Sequence, residues 1–113
     1  MKKLIISSAI MFLAFASQAQ SKVITQTDTF KVWGNCGMCE KTIEKAASKV
    51  KGVTKADWDK EKKIMKLTYI TSVTNVDDVH KAIAAAGYDT EKIKATDKAY
   101  NKLDGCCQYE REK

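Results

Sequence analysis

The chain has 113 residues, of which 44% are hydrophobic, with a formal net charge of +6 and no proline. A chain of this length forms one domain with short appendages, which excludes a multidomain enzyme and a Rossmann-type fold. The hydrophobic content excludes a wholly disordered protein, because that many apolar side chains can form one modest core.

The N-terminus has the organisation of a secretory signal peptide. Two lysines precede an apolar run over 4–16, and a small-x-small motif ends at Ala19. The run is shorter than the roughly 20 residues of a spanning helix, with an uncleaved anchor as the alternative. We predict a signal peptide over 1–19, export to the periplasm and no stable membrane insertion after cleavage. Residues 20–27 are polar and are predicted to form a flexible leader.

In chain order, the apolar pattern predicts strand, helix, strand, strand, helix and strand. Alternating apolar and polar residues indicate the strands, and an apolar stripe at helical spacing indicates each helix. The predicted strands are 29–33, 53–58, 65–69 and 91–95, and the predicted helices are 37–51 and 76–86. Two strand–helix–strand units of this kind form an α+β, ferredoxin-like βαββαβ sandwich. Its four-stranded antiparallel sheet has the order 4-1-3-2 and carries both helices on one face.

Cys36 and Cys39 are separated by two residues in the loop between the first predicted strand and helix. Two thiols at this spacing can point at one ion, and thiolates select soft ions such as Cu(I), Zn(II), Hg(II) and Cd(II). The start of the helix adds free N–H groups that favour the thiolate form. Gly34 and Gly37 are predicted to let the loop turn tightly around the ion. Because no His, Asp or Glu accompanies the motif, a closed tetrahedral zinc site is not indicated.

The order of the elements, with Cys36-x-x-Cys39 in the first strand-to-helix loop, resembles the heavy-metal-associated domain family over residues 28–95. That family contains small copper chaperones, modules of copper- and zinc-exporting ATPases and periplasmic mercuric-ion-binding proteins. Many members carry a methionine two residues before the first cysteine, whereas here Met38 lies inside the pair.

The resemblance implies that Cys36 and Cys39 bind a soft ion and pass it on by ligand exchange. Cu(I) is the ion expected first, and Hg(II), Zn(II) and Cd(II) stay open. The expected partner is a membrane metal transporter or a metal-exporting ATPase. The resemblance also implies that the Gly87-Tyr88 turn approaches the metal.

Residues 96–113 form a C-terminal tail with two adjacent cysteines, Cys106 and Cys107. Adjacent cysteines rarely bridge each other without backbone distortion. The tail between Thr96 and Cys106 can span about 33 Å when extended, and a strand of six residues is only about 20 Å long. The tail cysteines are therefore candidate auxiliary metal ligands. A separate capture site and a structural role are the alternatives.

Two other functions fit the thiols, namely a thiol–disulfide redox protein and an exported interaction module whose cysteines are incidental. Members of the thioredoxin family have a cis-proline that faces the dithiol, and this chain has no proline.

We find no carboxylate pair, Ser-His-Asp set or phosphate-binding glycine loop, so we do not expect an enzyme. The single arginine, Arg111, and the lack of a basic–aromatic run argue against nucleic acid as a partner. We expect a monomer, with His80, the only histidine, on the surface of the second helix.

Overall fold

Three antiparallel strands and two main helices form the α+β sandwich of this protein. The structure, a computed structural model, describes residues 23–112, so the predicted signal peptide lies outside the described residues. The elements are β1 (Thr25–Lys31), α1 (Gly37–Ser48), β2 (Val53–Asp59), β3 (Ile64–Ile70), α2 (Val76–Ala85) and the short α3 (Asp97–Asn101), followed by one 3-10 turn (Gly105–Cys107). The sheet has the order β1-β3-β2. Within residues 23–112, no helix is long and apolar enough to span a bilayer.

The core lies between the sheet and the two main helices. Along β3, the buried residues Met65, Leu67 and Tyr69 alternate with more exposed ones, as the sequence predicts. Ile43 of α1 and Ile83 of α2 are fully buried among them. One face of the sheet is thereby covered, which confirms the predicted α+β architecture.

The first strand begins earlier than predicted. β1 starts at Thr25, so the last three residues of the predicted flexible leader belong to the sheet. They pair with the end of β3, and the Thr27 and Thr68 hydroxyl oxygens lie 2.9 Å apart. The prediction was wrong here because backbone pairing, rather than apolar alternation, holds this polar segment.

The predicted fourth strand, 91–95, does not form within the described residues. Only a single bridge between Val32 and Thr90 continues the sheet beyond β1. The chain turns away at that point because the Thr90 hydroxyl oxygen accepts hydrogen bonds from the backbone N–H groups of Lys92 and Ile93, at 3.2 and 3.0 Å. The start of the segment still lies beside β1, since the Glu91 N–H donates to the Lys31 carbonyl at 3.0 Å.

His80 is buried, and its predicted surface position was wrong. The side chain is 1% exposed. The ring packs against Phe30 with centroids 4.1 Å apart, and Nδ1 lies 2.6 Å from the Thr90 hydroxyl oxygen. The turn that replaces the fourth strand covers this side of α2, which the helical pattern alone does not reveal.

Burial lowers the pKa of His80, and the charge of Lys92 lowers it further, against the opposing effects of Glu91 and Asp77. In the unfolded chain the His80 imidazole is protonated near pH 6.5, whereas in the folded chain it is protonated only at a lower pH. We therefore expect the free energy of unfolding to fall as the pH drops below about 6.5, by at most about 1.4 kcal/mol per pH unit until the folded pKa is reached.

Urea unfolding of the metal-free protein between pH 7.5 and pH 5.5 measures this dependence. The His80→Asn variant is the control, since asparagine keeps a polar atom near Thr90 but does not titrate. We expect it to be less stable than the wild type at neutral pH and to have a flatter pH profile. Equal slopes for the two proteins would contradict the assignment to His80.

Candidate metal centre

The two cysteines of the first loop converge at the start of α1. Cys36 is the N-cap residue in an extended conformation, and its carbonyl accepts the first helical hydrogen bond from Glu40, at 2.9 Å. Cys39 lies one turn later and is fully buried, whereas Cys36 is half-buried. Their Sγ atoms are 4.0 Å apart, and both thiols are free. The predicted pair therefore comes together, with one sulfur facing the core and one nearer to solvent.

The two glycines of this loop have different roles. A Cβ atom on Gly34 would lie 2.8 Å from the Trp58 ring and 2.9 Å from Ile43, so only glycine fits where the loop crosses the core. A Cβ atom on Gly37 would meet nothing within 4 Å, and Gly37 does not have a positive φ. The expectation that both glycines are needed for a tight turn is thus wrong for Gly37, and Gly34 is needed for close packing instead.

The surroundings of Cys39 favour its thiolate. Burial by itself raises the pKa of Cys39, but the neighbouring Cys107 thiol, backbone N–H groups of the loop and the Tyr88 hydroxyl outweigh it, so the pKa is lowered. Burial likewise raises the pKa of Cys107, to about 12, so Cys107 keeps its proton at neutral pH in the metal-free protein. Burial also raises the pKa of Tyr88. The phenol therefore stays protonated beside these sulfur atoms, where the resemblance placed the Gly87-Tyr88 turn.

The C-terminal tail returns to the same loop. The Sγ atoms of Cys36, Cys106 and Cys107 all lie within 4.8 Å of one another. The backbone carbonyl of Cys106 accepts a hydrogen bond from the Asn35 side chain at 3.3 Å and one from the Cys36 thiol at 3.9 Å. All four cysteines of the chain are thus gathered at one end of α1.

Met38 adds a fifth sulfur atom at the edge of this cluster. Its side chain is 52% exposed, as its loop position predicts. Its Sδ atom lies 3.7 Å from the Sγ of Cys106. Met38 therefore lies beside the tail and outside the buried core.

An arginine clasp, defined here as Arg111 with Asp89, Asp97 and the Ala95 carbonyl, anchors the tail. The guanidinium binds both carboxylate oxygens of Asp89, at 2.8 and 3.1 Å, and one oxygen of Asp97 at 3.0 Å. It also donates to the Ala95 carbonyl at 2.6 Å. Burial raises the pKa of Asp89, but the hydrogen bonds from Arg111 and Ala95 outweigh it and lower the pKa below its usual range. Asp89 is therefore charged at neutral pH and holds the arginine.

A buried tyrosine provides the second anchor of the tail. The Tyr109 hydroxyl donates to the Gly87 carbonyl at 2.9 Å and accepts from the Asp89 backbone N–H at 2.8 Å. Its ring stacks on Tyr88 with centroids 5.8 Å apart, and Tyr100 meets it edge-on at 5.0 Å. Sequence analysis missed both anchors, because neither Arg111 nor Tyr109 belongs to a recognisable motif.

Comparison with known proteins supports a metal-binding function. The sequence model of the heavy-metal-associated domain matches residues 29–89. The mercuric transport protein periplasmic component of Shigella flexneri is 40% identical over 89 residues, which cover 78% of this chain and 93% of that protein.

Solved structures give the same result. The oxidized MerP of Ralstonia metallidurans CH34 superposes with a TM-score of 0.57 at 40% identity, over 60% of this chain and 96% of that one. A structure of the CopZ metallochaperone gives a TM-score of 0.56 at 32% identity, over 57% of this chain and 98% of that one. The domain match ends at Asp89, so the tail cysteines lie beyond it.

Proposed function

The chain belongs to the heavy-metal-associated domain family, and we propose that it binds one soft metal ion through Cys36 and Cys39 and passes it to a partner protein. The observation that carries this proposal is the pair of free thiols 4.0 Å apart at the N-terminus of α1. The helix start and the donors around Cys39 favour the thiolate, which is the form that binds soft ions. No catalytic step is part of the proposal.

Cu(I) and Hg(II) are the candidate ions. The sequence placed Cu(I) first, and a relative named as a mercuric transport protein at 40% identity makes Hg(II) an equal candidate. Both ions are soft and accept thiolate ligands at low coordination numbers. Zn(II) and Cd(II) remain candidates only if the site offers more than two sulfur atoms.

The unequal exposure of the two thiols fits transfer by ligand exchange. Cys36 is half-buried and reachable, whereas Cys39 is fully enclosed. An incoming thiolate of a partner can therefore bind the ion beside Cys36 and displace that sulfur first, while Cys39 still holds the ion. We propose a membrane metal transporter or metal-exporting ATPase as that partner, and the periplasm as the location.

Anaerobic titration of the reduced protein, purified from a periplasmic extract, tests the function. We expect one Cu(I) or Hg(II) ion per chain to be retained against millimolar glutathione. We also expect the measured mass of the protein to be that of a chain that begins at Gln20. Failure to retain either ion under these conditions would contradict the proposal. Catalysed reduction of a disulfide substrate without metal retention would favour the redox alternative instead.

A further inference from the structure

We propose that Cys106 and Cys107 are ligands of the same ion, so that the protein holds it with three or four sulfur atoms rather than two. The inference deepens the proposed function and rests on it. It assigns a role in metal binding to a tail that lies outside the matched domain, which ends at Asp89.

The positions of the sulfur atoms support a shared site. Cys36 lies 4.0 Å from Cys39 and within 4.8 Å of both tail sulfurs, so it belongs to both halves of the cluster. Sulfur atoms around one ion at about 2.3 Å are about 3.8 Å apart in a tetrahedral site and about 4.6 Å apart in a linear one. The sulfurs of Cys36, Cys106 and Cys107 are therefore spaced closely enough for one ion, and Cys39, which lies outside this three-sulfur group, would complete a four-coordinate site by moving towards the tail sulfurs.

The tail thiols are held in place by contacts that involve no sulfur. Arg111 binds both carboxylate oxygens of Asp89, and the Tyr109 hydroxyl is fixed between the Gly87 carbonyl and the Asp89 N–H. Bidentate arginine–carboxylate pairs are geometrically specific, and this one is largely shielded from solvent, since the Arg111 side chain is 20% exposed. The chain therefore does not need to order the tail when the ion arrives, which lowers the free-energy cost of the additional ligands.

The hydroxyl of Tyr88 supports the same assignment. Among the described residues it is the one fully buried side-chain oxygen or nitrogen atom without a hydrogen-bond partner. It lies beside the sulfur atoms of Cys39 and Cys107. An unpaired buried hydroxyl is costly unless it can donate to a charged acceptor. Thiolates that share an ion at this position would provide that acceptor.

A tail that supplies ligands changes what the site does. Two sulfurs hold a soft ion in an open arrangement, whereas further sulfurs surround it and must be displaced before a partner can take it. We therefore expect tighter retention and slower release than from the loop pair alone. We also expect Cd(II), which accepts more than two thiolates, to bind at the same place as Hg(II).

X-ray absorption on the reduced protein, loaded with one equivalent of Hg(II) or Cd(II), counts the sulfur neighbours directly. We expect three or more sulfurs in the wild type and two in the Cys106→Ser/Cys107→Ser variant, whose affinity falls about tenfold to a hundredfold. Glu110→Gln is the matched control, since it changes the charge of the same exposed tail segment and keeps all thiols. Two sulfurs in both proteins would overturn the proposal. Two ions on the wild type and one on the variant, at equal affinity, would also overturn it.

The Arg111→Gln variant tests the tail without altering any thiol. Loosening the clasp lowers the effective concentration of the tail sulfurs at the loop, so we expect an affinity between those of the wild type and the serine variant. Unchanged affinity in both the Arg111 and the serine variants would overturn the proposal. Neither result tests metal binding by Cys36 and Cys39. That proposal has its own test, the loss of binding in a Cys36→Ser/Cys39→Ser variant. The proposed function and the proposed role of the tail can therefore fail separately.

Discussion

Replacing Cys36 and Cys39 together by serine is expected to lower the affinity for Cu(I) or Hg(II) by more than about a thousandfold. Changes that only reorient a metal ligand already cost about tenfold to a hundredfold in affinity, and here two ligands are lost. A serine hydroxyl is a poor donor to a soft ion, and the tail thiols alone form an incomplete site. Competition with a chelator of known affinity, under reducing and anaerobic conditions, measures the change.

The single variants and the fold provide the controls for this experiment. Cys36→Ser and Cys39→Ser should each weaken binding severely, because one loop thiolate cannot define the geometry of the ion. Serine is close in size to cysteine, so the circular dichroism spectrum and the thermal transition should stay near those of the wild type. Retention of wild-type affinity by the double variant would mean that Cys106 and Cys107 are the primary ligands, which would contradict the proposed function.

The sequence predicted the central elements well because their signals are strong and local. β3 alternates over seven residues, and α1 carries Cys39, Ile43 and Ala47 on one buried face. The two errors in the sheet have a different origin. The start of β1 at Thr25 depends on pairing with β3, and the end of the sheet at Thr90 depends on a side-chain turn. Neither leaves a periodic pattern in the sequence.

The candidate site was predictable only in part. The spacing of Cys36 and Cys39 on a helix start indicated the thiol pair directly, and chain length showed that the tail could reach it. Whether the tail returns depends on contacts that Arg111 and Tyr109 make with Asp89, which is 22 and 20 residues away from them in the chain. Such pairs follow from the tertiary structure, since one arginine among many lysines gives no directional signal.

Replacing Trp58 by alanine is expected to cost about 3–5 kcal/mol of folding free energy, the largest stability effect among the substitutions considered. The side chain is 1% exposed, and its indole N–H donates to the Val32 carbonyl at 3.0 Å. The ring also supports the thiol loop, since it lies directly beneath Gly34. Its loss would therefore leave a cavity under the metal centre as well as an unpaired buried carbonyl.

Urea unfolding of the reduced, metal-free protein separates this effect from any contribution of the ion. We expect a cooperative transition in the wild type, because a core that includes Trp58, Ile43 and Met65 is buried whether or not metal is bound. Trp58→Phe is the control, since it keeps most of the apolar volume and loses the N–H donor, at a cost of about 1–2 kcal/mol. A metal-free wild type without a cooperative transition would show that the ion, and not the core, determines the fold. An alanine variant as stable as the phenylalanine variant would show that the packing beneath the loop contributes little to stability.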